Sequence, residues 1–151
     1  MADSPEVIEA RERTNDKEYF SKVIFENPTL IEWANEEIRD DKEIMLKAVE
    51  IDGGVLEFAS DRLKDDKDVL LAASKVDGQA LYFASQALRD DKDVVLTAVS
   101  QKPIILKYAS FKMRDDKDVA IAAVSKAKKK VIEYISPRLQ EDEDIKAILA
   151  E

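Results

Sequence analysis

The chain of 151 residues is 45% hydrophobic and 38% charged, with a formal net charge of −9. It contains neither cysteine nor histidine, which excludes disulfides, thiolate metal sites and any mechanism that needs an imidazole. The low numbers of glycine (3) and proline (4) favour helix. The N-terminus is acidic, unlike a signal peptide, and no apolar run approaches the roughly 18 residues of a membrane span. We therefore expect a helical, cytoplasmic protein without membrane contact.

The N-terminal segment carries a helix-start signal. Ser4 precedes Pro5 and acidic residues, an order typical of an N-cap followed by the first helical turn. Asn27-Pro28 repeats the same order. We therefore predict an N-terminal half-repeat at 1–13, in which residues 5–13 form a second helix without its first, with a frayed tail as the alternative.

A six-residue motif then recurs every 25 residues. It reads Arg89-Asp90-Asp91-Lys92-Asp93-Val94 in its clearest copy and begins also at Arg39, Lys64 and Arg114. A fixed period of this size indicates stacked repeats. We predict repeats at 14–38, 39–63, 64–88, 89–113 and 114–139, the last with one extra residue near Lys128, and a C-terminal half-repeat at 140–151.

Each repeat is predicted to hold two helices. Asp90 is the expected N-cap of the first, with Asp93 at the capping-box position, and an apolar stripe follows from Val94 to Val99. Breaks such as Asp77-Gly78 and Lys102-Pro103 precede the second helix. The predicted fold is all-α: an α-solenoid of about five 25-residue helix-turn-helix repeats, with atypical half-repeats at both ends.

Apolar and small residues recur in register across the repeats. We expect an aromatic column to belong to the core and not to form a ligand platform. Two alanine columns indicate that helices approach closely. Ala84→Leu should therefore destabilise the fold, while Lys75→Ala should not. The aromatic column is Trp33, Phe58, Phe83 and Tyr108; the alanine columns are Ala48, Ala73, Ala98 and Ala123, and Ala34, Ala59, Ala84 and Ala109.

The aspartate-rich motif has two interpretations. Calcium loops need a glycine and a spacing of acids that these copies lack, so we expect the first and last acids to cap helices and the stacked motifs to form a weakly self-repelling ridge. Cation binding is the alternative. No phosphate loop or nucleophile motif occurs, and we expect no enzyme activity, no cofactor and no metal.

Two features favour binding of a partner. Tyr82 occupies a position held by Glu32, Glu57 and Lys107 in other repeats, so its side chain should be exposed. Charge is also uneven: residues 1–63 sum to −9 and residues 89–138 to +5. The basic residues cluster near the break between helices, at Lys102, Lys126, Lys128, Lys129 and Lys130.

These features predict a protein–protein interaction scaffold whose partner meets Tyr82 and the lysines. The alternative is a structural protein that self-associates through the acidic-to-basic gradient, a heterologous contact that could propagate. Nucleic acid is not an expected partner, because the chain as a whole is acidic.

The repeat resembles a known family. Leu81-Tyr82-Phe83-Ala84-Ser85 followed by Leu88-Arg89-Asp90-Asp91-Lys92 is similar to the repeats known as domain of unknown function 4116, over roughly residues 14–145. Departures lie in the first and last copies, at Asn35, Ile135 and Glu141-Asp142-Glu143. The resemblance implies the helical repeat fold and supplies no activity, cofactor or site.

Overall fold

A computed structural model describes residues 3–151; the first two residues of the predicted half-repeat 1–13 lie outside this range. The α-helices, in chain order, are α1 Pro5–Glu12, α2 Lys17–Val23, α3 Glu36–Arg39, α4 Lys42–Ile51, α5 Asp61–Lys64, α6 Lys67–Val76, α7 Lys92–Gln101, α8 Phe111–Arg114, α9 Lys117–Ala127, α10 Pro137–Gln140 and α11 Glu143–Ala150. Short 3-10 helices lie between them, at Pro28–Trp33, Gly53–Phe58, Gly78–Tyr82, Leu88–Asp90, Pro103–Tyr108, Lys128–Lys130 and Ile132–Tyr134.

The protein is an all-α stack of repeats in two layers, which confirms the predicted fold class. The long helices form the first layer, where α4 packs on α6, α6 on α7, α7 on α9 and α9 on α11. In the second layer, Pro28–Trp33 packs on Gly53–Phe58, Gly53–Phe58 on Gly78–Tyr82, and Gly78–Tyr82 on Pro103–Tyr108. Each repeat therefore contacts the next in sequence, the arrangement expected of a solenoid.

The second half of the repeat differs from the predicted single helix. It consists of a 3-10 helix, such as Gly53–Phe58, followed by an α-helix of one turn, such as Asp61–Lys64. The serine between them, here Ser60, accepts a hydrogen bond from the backbone N–H of Leu63 and so caps the short helix. Because an N-cap residue has extended backbone angles, this serine divides the predicted helix into two elements.

The N-terminal helix forms as predicted from its Ser-Pro start. Ser4 accepts a hydrogen bond from the backbone N–H of Val7, and Pro5 is the first helical residue. The helix packs against the 3-10 helix that begins at Pro28, and the Arg11 guanidinium lies 4.0 Å from the centre of the Trp33 ring. It thus contacts the second layer of the first repeat.

The core runs continuously through both layers. Ala98 and its counterparts in the long helices are fully buried, as are Leu56, Leu81 and Leu106 in the second layer. The aromatic column behaves differently: its four side chains are only half-buried, packing against the core on one side. The prediction that this column belongs to the core therefore holds for part of each ring.

The extra residue of the last full repeat lies at Lys128, as predicted. The long helix there has 11 residues instead of 10, and Lys128 has a φ of 50°. Among residues 3–151 it is the one non-glycine residue with a positive φ. This left-handed conformation absorbs the insertion before the next 3-10 helix begins.

Candidate partner-binding surface

The motif acids have different tasks from those predicted. The N-cap of α7 is Asp91, whose carboxylate accepts hydrogen bonds from the backbone N–H groups of Asp93 and Val94 at 3.0 and 3.2 Å. The second acid of the motif caps the long helix in the other repeats too. The prediction that Asp90 is the cap was wrong by one residue.

The first acid of the motif joins neighbouring repeats. Asp90 accepts hydrogen bonds from the Ser110 hydroxyl and the Lys112 ammonium of the next repeat, while the backbone N–H of Ser110 donates to the Arg89 carbonyl at 2.9 Å. The same serine–aspartate pair recurs between Ser60 and Asp40, Ser85 and Asp65, and Ser136 and Asp115. One serine therefore caps a short helix and fixes the register of two repeats.

The motif lysine also reaches into the next repeat. The Lys67 ammonium lies 2.9 Å from the Asp91 carboxylate and 2.8 Å from that of Asp93. Lys42, Lys92 and Lys117 bridge the corresponding pairs of carboxylates, all within 2.6–3.0 Å. We call this row the lysine ladder. The acids of the predicted ridge are therefore paired with lysines of the preceding repeat, although each lysine offsets only one of the two carboxylate charges that it contacts.

The pKa values of the ladder groups reflect this pairing. Hydrogen bonds that the Lys67 ammonium donates to Asp93 and Asp91 raise the pKa of Lys67 above its ordinary value. Partial burial raises the pKa of Asp91, but hydrogen bonds from Lys67 and from the Val94 N–H outweigh it, so that the pKa lies below the ordinary range. The Ser110 hydroxyl, with Lys112, likewise lowers the pKa of Asp90. The folded chain thus stabilises the charged form of the lysine and the charged forms of the acids.

The first repeat makes the same connection with different residues. Asn15 stands where later repeats have the first acid, and its side-chain oxygen accepts a hydrogen bond from the Asn35 amide at 3.0 Å. Asn35 replaces the serine, caps α3 through Ile38 and donates its backbone N–H to Thr14. The departure at Asn35 therefore preserves the contact between repeats.

With the acids occupied in stacking, the residues predicted to bind a partner lie elsewhere. Tyr82 is 45% exposed, which confirms the prediction of an exposed side chain. Its ring meets the Tyr108 ring edge to face, with 4.9 Å between centroids, and the neighbouring Phe83 ring at 5.1 Å. Tyr82 thus extends the half-buried aromatic column to the surface.

The five predicted lysines do not form one free cluster. Lys102 donates to the side-chain oxygen of Gln79 at 2.7 Å, and Lys128 donates to the Ile148 carbonyl at 2.8 Å. Lys126 donates to the Ser100 carbonyl. Lys129 and Lys130 are exposed and have no hydrogen bond or ion pair within residues 3–151. These two lysines are the ones available to a partner.

Two equivalent grooves open on the second layer, each between consecutive repeats. The Glu36 groove, about 520 Å³, is lined by Glu36, Glu37, Arg39, Asp40, Phe58, Ala59, Ser60 and Asp61. The Phe111 groove, about 560 Å³, is lined by Ala84, Gln86, Arg89, Tyr108, Ser110 and Phe111. Members of the second alanine column, Ala59 and Ala84, border these grooves, so Ala84→Leu is a weaker test of packing than predicted.

Phe111, which is 68% exposed, was not among the residues predicted from the sequence to bind a partner. Corresponding positions hold Glu36, Asp61 and Gln86. The comparison across repeats that indicated Tyr82 would have identified Phe111 as well, because an aromatic residue replaces a polar one there.

Among residues 3–151, no group of three or more acidic side chains is placed to hold a metal ion. Within the same range, no helix has the length and apolar character needed to cross a membrane.

Comparison with known proteins bears on the repeat itself. A family model described as "Domain of unknown function (DUF4116)" matches residues 16–64, 41–89 and 91–140. The three matches overlap or adjoin and together cover most of the chain. No curated protein and no solved structure matches.

Proposed function

Because the chain belongs to the family of domain of unknown function 4116, whose description assigns no activity, we propose from its surface that it is a non-catalytic protein–protein interaction scaffold. The observation that carries the proposal is a contrast within each repeat. The ladder residues are nearly the same in every copy, whereas exposed positions of the second layer change from Glu32 and Glu57 to Tyr82 and Lys107.

This contrast suits a binding surface. The ladder and the serine–aspartate pairs hold successive repeats at one spacing, so the varied positions are presented as a row with little freedom to rearrange. A row held in place loses little conformational entropy when a partner binds. Tyr82 supplies an exposed ring, and aromatic side chains are enriched among residues that contribute most to binding.

The basic region is the second part of the proposed surface. Lys129 and Lys130 are exposed without intramolecular partners, and residues 89–138 sum to +5. Long-range attraction of this kind increases the rate at which an acidic partner associates. The proposed partner is therefore another protein with an acidic surface.

Affinity capture from a lysate of the source organism tests the scaffold function. The variant Lys129→Glu/Lys130→Glu leaves the hydrogen bonds of Lys126 and Lys128 intact, and Lys75→Glu is the matched control because Lys75 is exposed with no ion pair. We expect a protein that the wild type and the control retain and the double variant loses. Calorimetry with that purified protein should then give saturable binding. Retention of nothing above the bare matrix would contradict the scaffold function.

Self-association is the second candidate, favoured by the opposite charges of residues 1–63 and 89–138. Self-association would depend on attraction between these two oppositely charged parts alone, and not on further ladder contacts. A contact that continued the lysine ladder would place Glu143, which stands at the lysine position, near Asp16 and Glu18 of the next copy. Sedimentation velocity tests it: a mass that rises with concentration and falls with salt supports self-association, and a monomer under all conditions contradicts it.

A further inference from the structure

The two second-layer grooves have the same backbone position but opposite chemistry. The Glu36 groove exposes the carboxylates of Glu36, Glu37 and Asp61. Two repeats further along, the corresponding residues are Gln86, Ala87 and Phe111. None of the residues that line the Phe111 groove is acidic, so the two grooves must differ in the ligands they accept.

The Phe111 groove adjoins exposed aromatic side chains of the second layer. Phe111 is 68% exposed and lines the groove together with Tyr108. Tyr108 in turn contacts the exposed ring of Tyr82. Contiguous exposed aromatic surface on a soluble protein is characteristic of a binding site, and aromatic rings provide large contact areas at a small loss of conformational entropy.

Cationic groups surround this aromatic surface. The Lys107 ammonium lies 4.8 Å from the centre of the Tyr108 ring, and the Arg89 side chain forms part of the groove wall. The nearby Asp90 carboxylate already accepts hydrogen bonds from Ser110 and Lys112. The charge available to a ligand at this groove is therefore positive.

The backbone next to the groove departs from the other repeats. Where they have a one-turn α-helix, this repeat has a turn at Gln86 and Ala87 and then the 3-10 helix Leu88–Asp90. Arg89 donates back to the carbonyls of Tyr82 and Ala84 in its own repeat, at 2.6 and 3.1 Å. Arg114, at the equivalent position, instead donates forward to the Tyr134 carbonyl of the following repeat.

Because Arg89 turns back, it donates no hydrogen bond across the groove to the following repeat in the described part of the chain. Tyr108 is the counterpart of Tyr134, and its carbonyl receives no hydrogen bond from Arg89 within residues 3–151. Arg89 uses two of its five N–H groups within the chain, so further donors remain for a ligand carboxylate. The groove thus combines aromatic lining residues with a donor that matches carboxylate geometry.

We propose that the Phe111 groove binds a short acidic segment of another protein that carries one bulky apolar side chain. The apolar side chain packs between Tyr108 and Phe111, and the flanking carboxylates face Arg89 and Lys107. The Glu36 groove rejects the same segment, since its carboxylates would repel the acids. This inference rests on the proposed scaffold function and assigns its site and the chemistry of its partner.

Selection of random peptides displayed on phage tests the site and the ligand together. Peptides are selected on the wild-type protein, and the enriched sequences are measured by fluorescence anisotropy. We expect enrichment of peptides with an aromatic or large aliphatic residue beside two or more acids. Phe111→Asp, which introduces the residue found at position 61, should weaken their binding by roughly tenfold or more. Gln86→Glu/Ala87→Glu should also weaken peptide binding, although this variant keeps every aromatic side chain.

Phe25→Asp is the matched control, because Phe25 is also exposed, at 58%, but lies outside the groove. It should leave affinity unchanged. Since Phe111 is largely exposed, Phe111→Asp should keep the wild-type circular dichroism spectrum and Tm.

The outcomes separate the two proposals. Enriched peptides that are basic, or whose binding is unaffected by Phe111→Asp, would overturn the groove assignment while leaving a scaffold in place. No enrichment over uncoated wells would overturn the groove assignment, and affinity capture that also retains nothing would overturn the scaffold function.

Discussion

The lysine ladder and the second-layer grooves differ in how far their residues are repeated: ladder residues recur every 25 residues, whereas groove residues change from one repeat to another. At the ladder, Lys67 and its counterparts repeat with little change and contact the same two acids of the next repeat. At the grooves, Glu36 in one repeat becomes Phe111 in another. Residues that repeat connect neighbouring repeats of the stack, and we propose that residues that vary between repeats determine what the surface can bind.

Overpacking the first layer should have the largest effect on stability. Ala98 is fully buried between stacked long helices, so Ala98→Leu should lower the free energy of unfolding by about 1–3 kcal/mol. Urea denaturation of this variant and of Lys75→Ala, whose side chain is exposed, provides the comparison. Equal midpoints for the two variants would mean that the alanine column does not set the helix spacing.

Removing the cap of a long helix should have the next largest effect. Asp91→Ala loses two backbone hydrogen bonds and one carboxylate partner of Lys67, at a cost of about 1 kcal/mol. Asp93→Ala is the control, because this exposed carboxylate shares only the lysine contact. A larger loss from Asp93→Ala in urea denaturation would contradict the assignment of Asp91 as the cap.

This cap shows what the sequence could and could not predict. The period predicted the fold, the repeats and the extra residue at Lys128, because core positions recur in register. Asp90 and Asp91 are chemically identical neighbours, so sequence alone could not tell which one caps the helix. The ladder was not predictable either, since the partners of Lys67 depend on how closely and at what register the helices stack.

The groove was partly predictable. Comparison of equivalent positions identified Tyr82 and could have identified Phe111 by the same logic. The direction of the Arg89 side chain could not be predicted, because Arg114 carries the same residue type in the same motif and turns the other way. The backbone before the two arginines also differs, with a turn at Gln86 and Ala87 in one repeat and the one-turn helix α8 in the other.

Acid should weaken the stack. The pKa values of the motif acids, including Asp90 and Asp91, lie below their ordinary values, so their contribution is complete above about pH 4 and is lost as pH falls through the folded-state pKa values. The raised pKa of Lys67 preserves its contribution until pH rises above the ordinary value of 10.5. Thermal denaturation should therefore give a Tm that is steady near neutral pH and falls below about pH 4. A Tm that rises on acidification would contradict the pairing.

Breaking one ladder contact should have the smallest effect. Lys67→Met removes two partly exposed ion pairs, and such pairs contribute little individually. We expect a small drop in Tm at low salt that shrinks near 1 M salt, where the Debye length is about 3 Å. Lys75→Met is the control and should show no such drop. An effect of Lys67→Met that is independent of salt would indicate lost packing instead of lost charge pairing.

The most direct test of the division between stacking and binding compares Asp91→Ala with Phe111→Asp in one pair of assays. Tm and the affinity for a selected acidic peptide are measured for both variants, with affinity determined well below either Tm. We expect Asp91→Ala to lower Tm and keep the affinity, and Phe111→Asp to keep Tm and lose affinity. If Phe111→Asp lowers Tm as much as Asp91→Ala does, or if both variants bind the peptide equally well, the division is wrong.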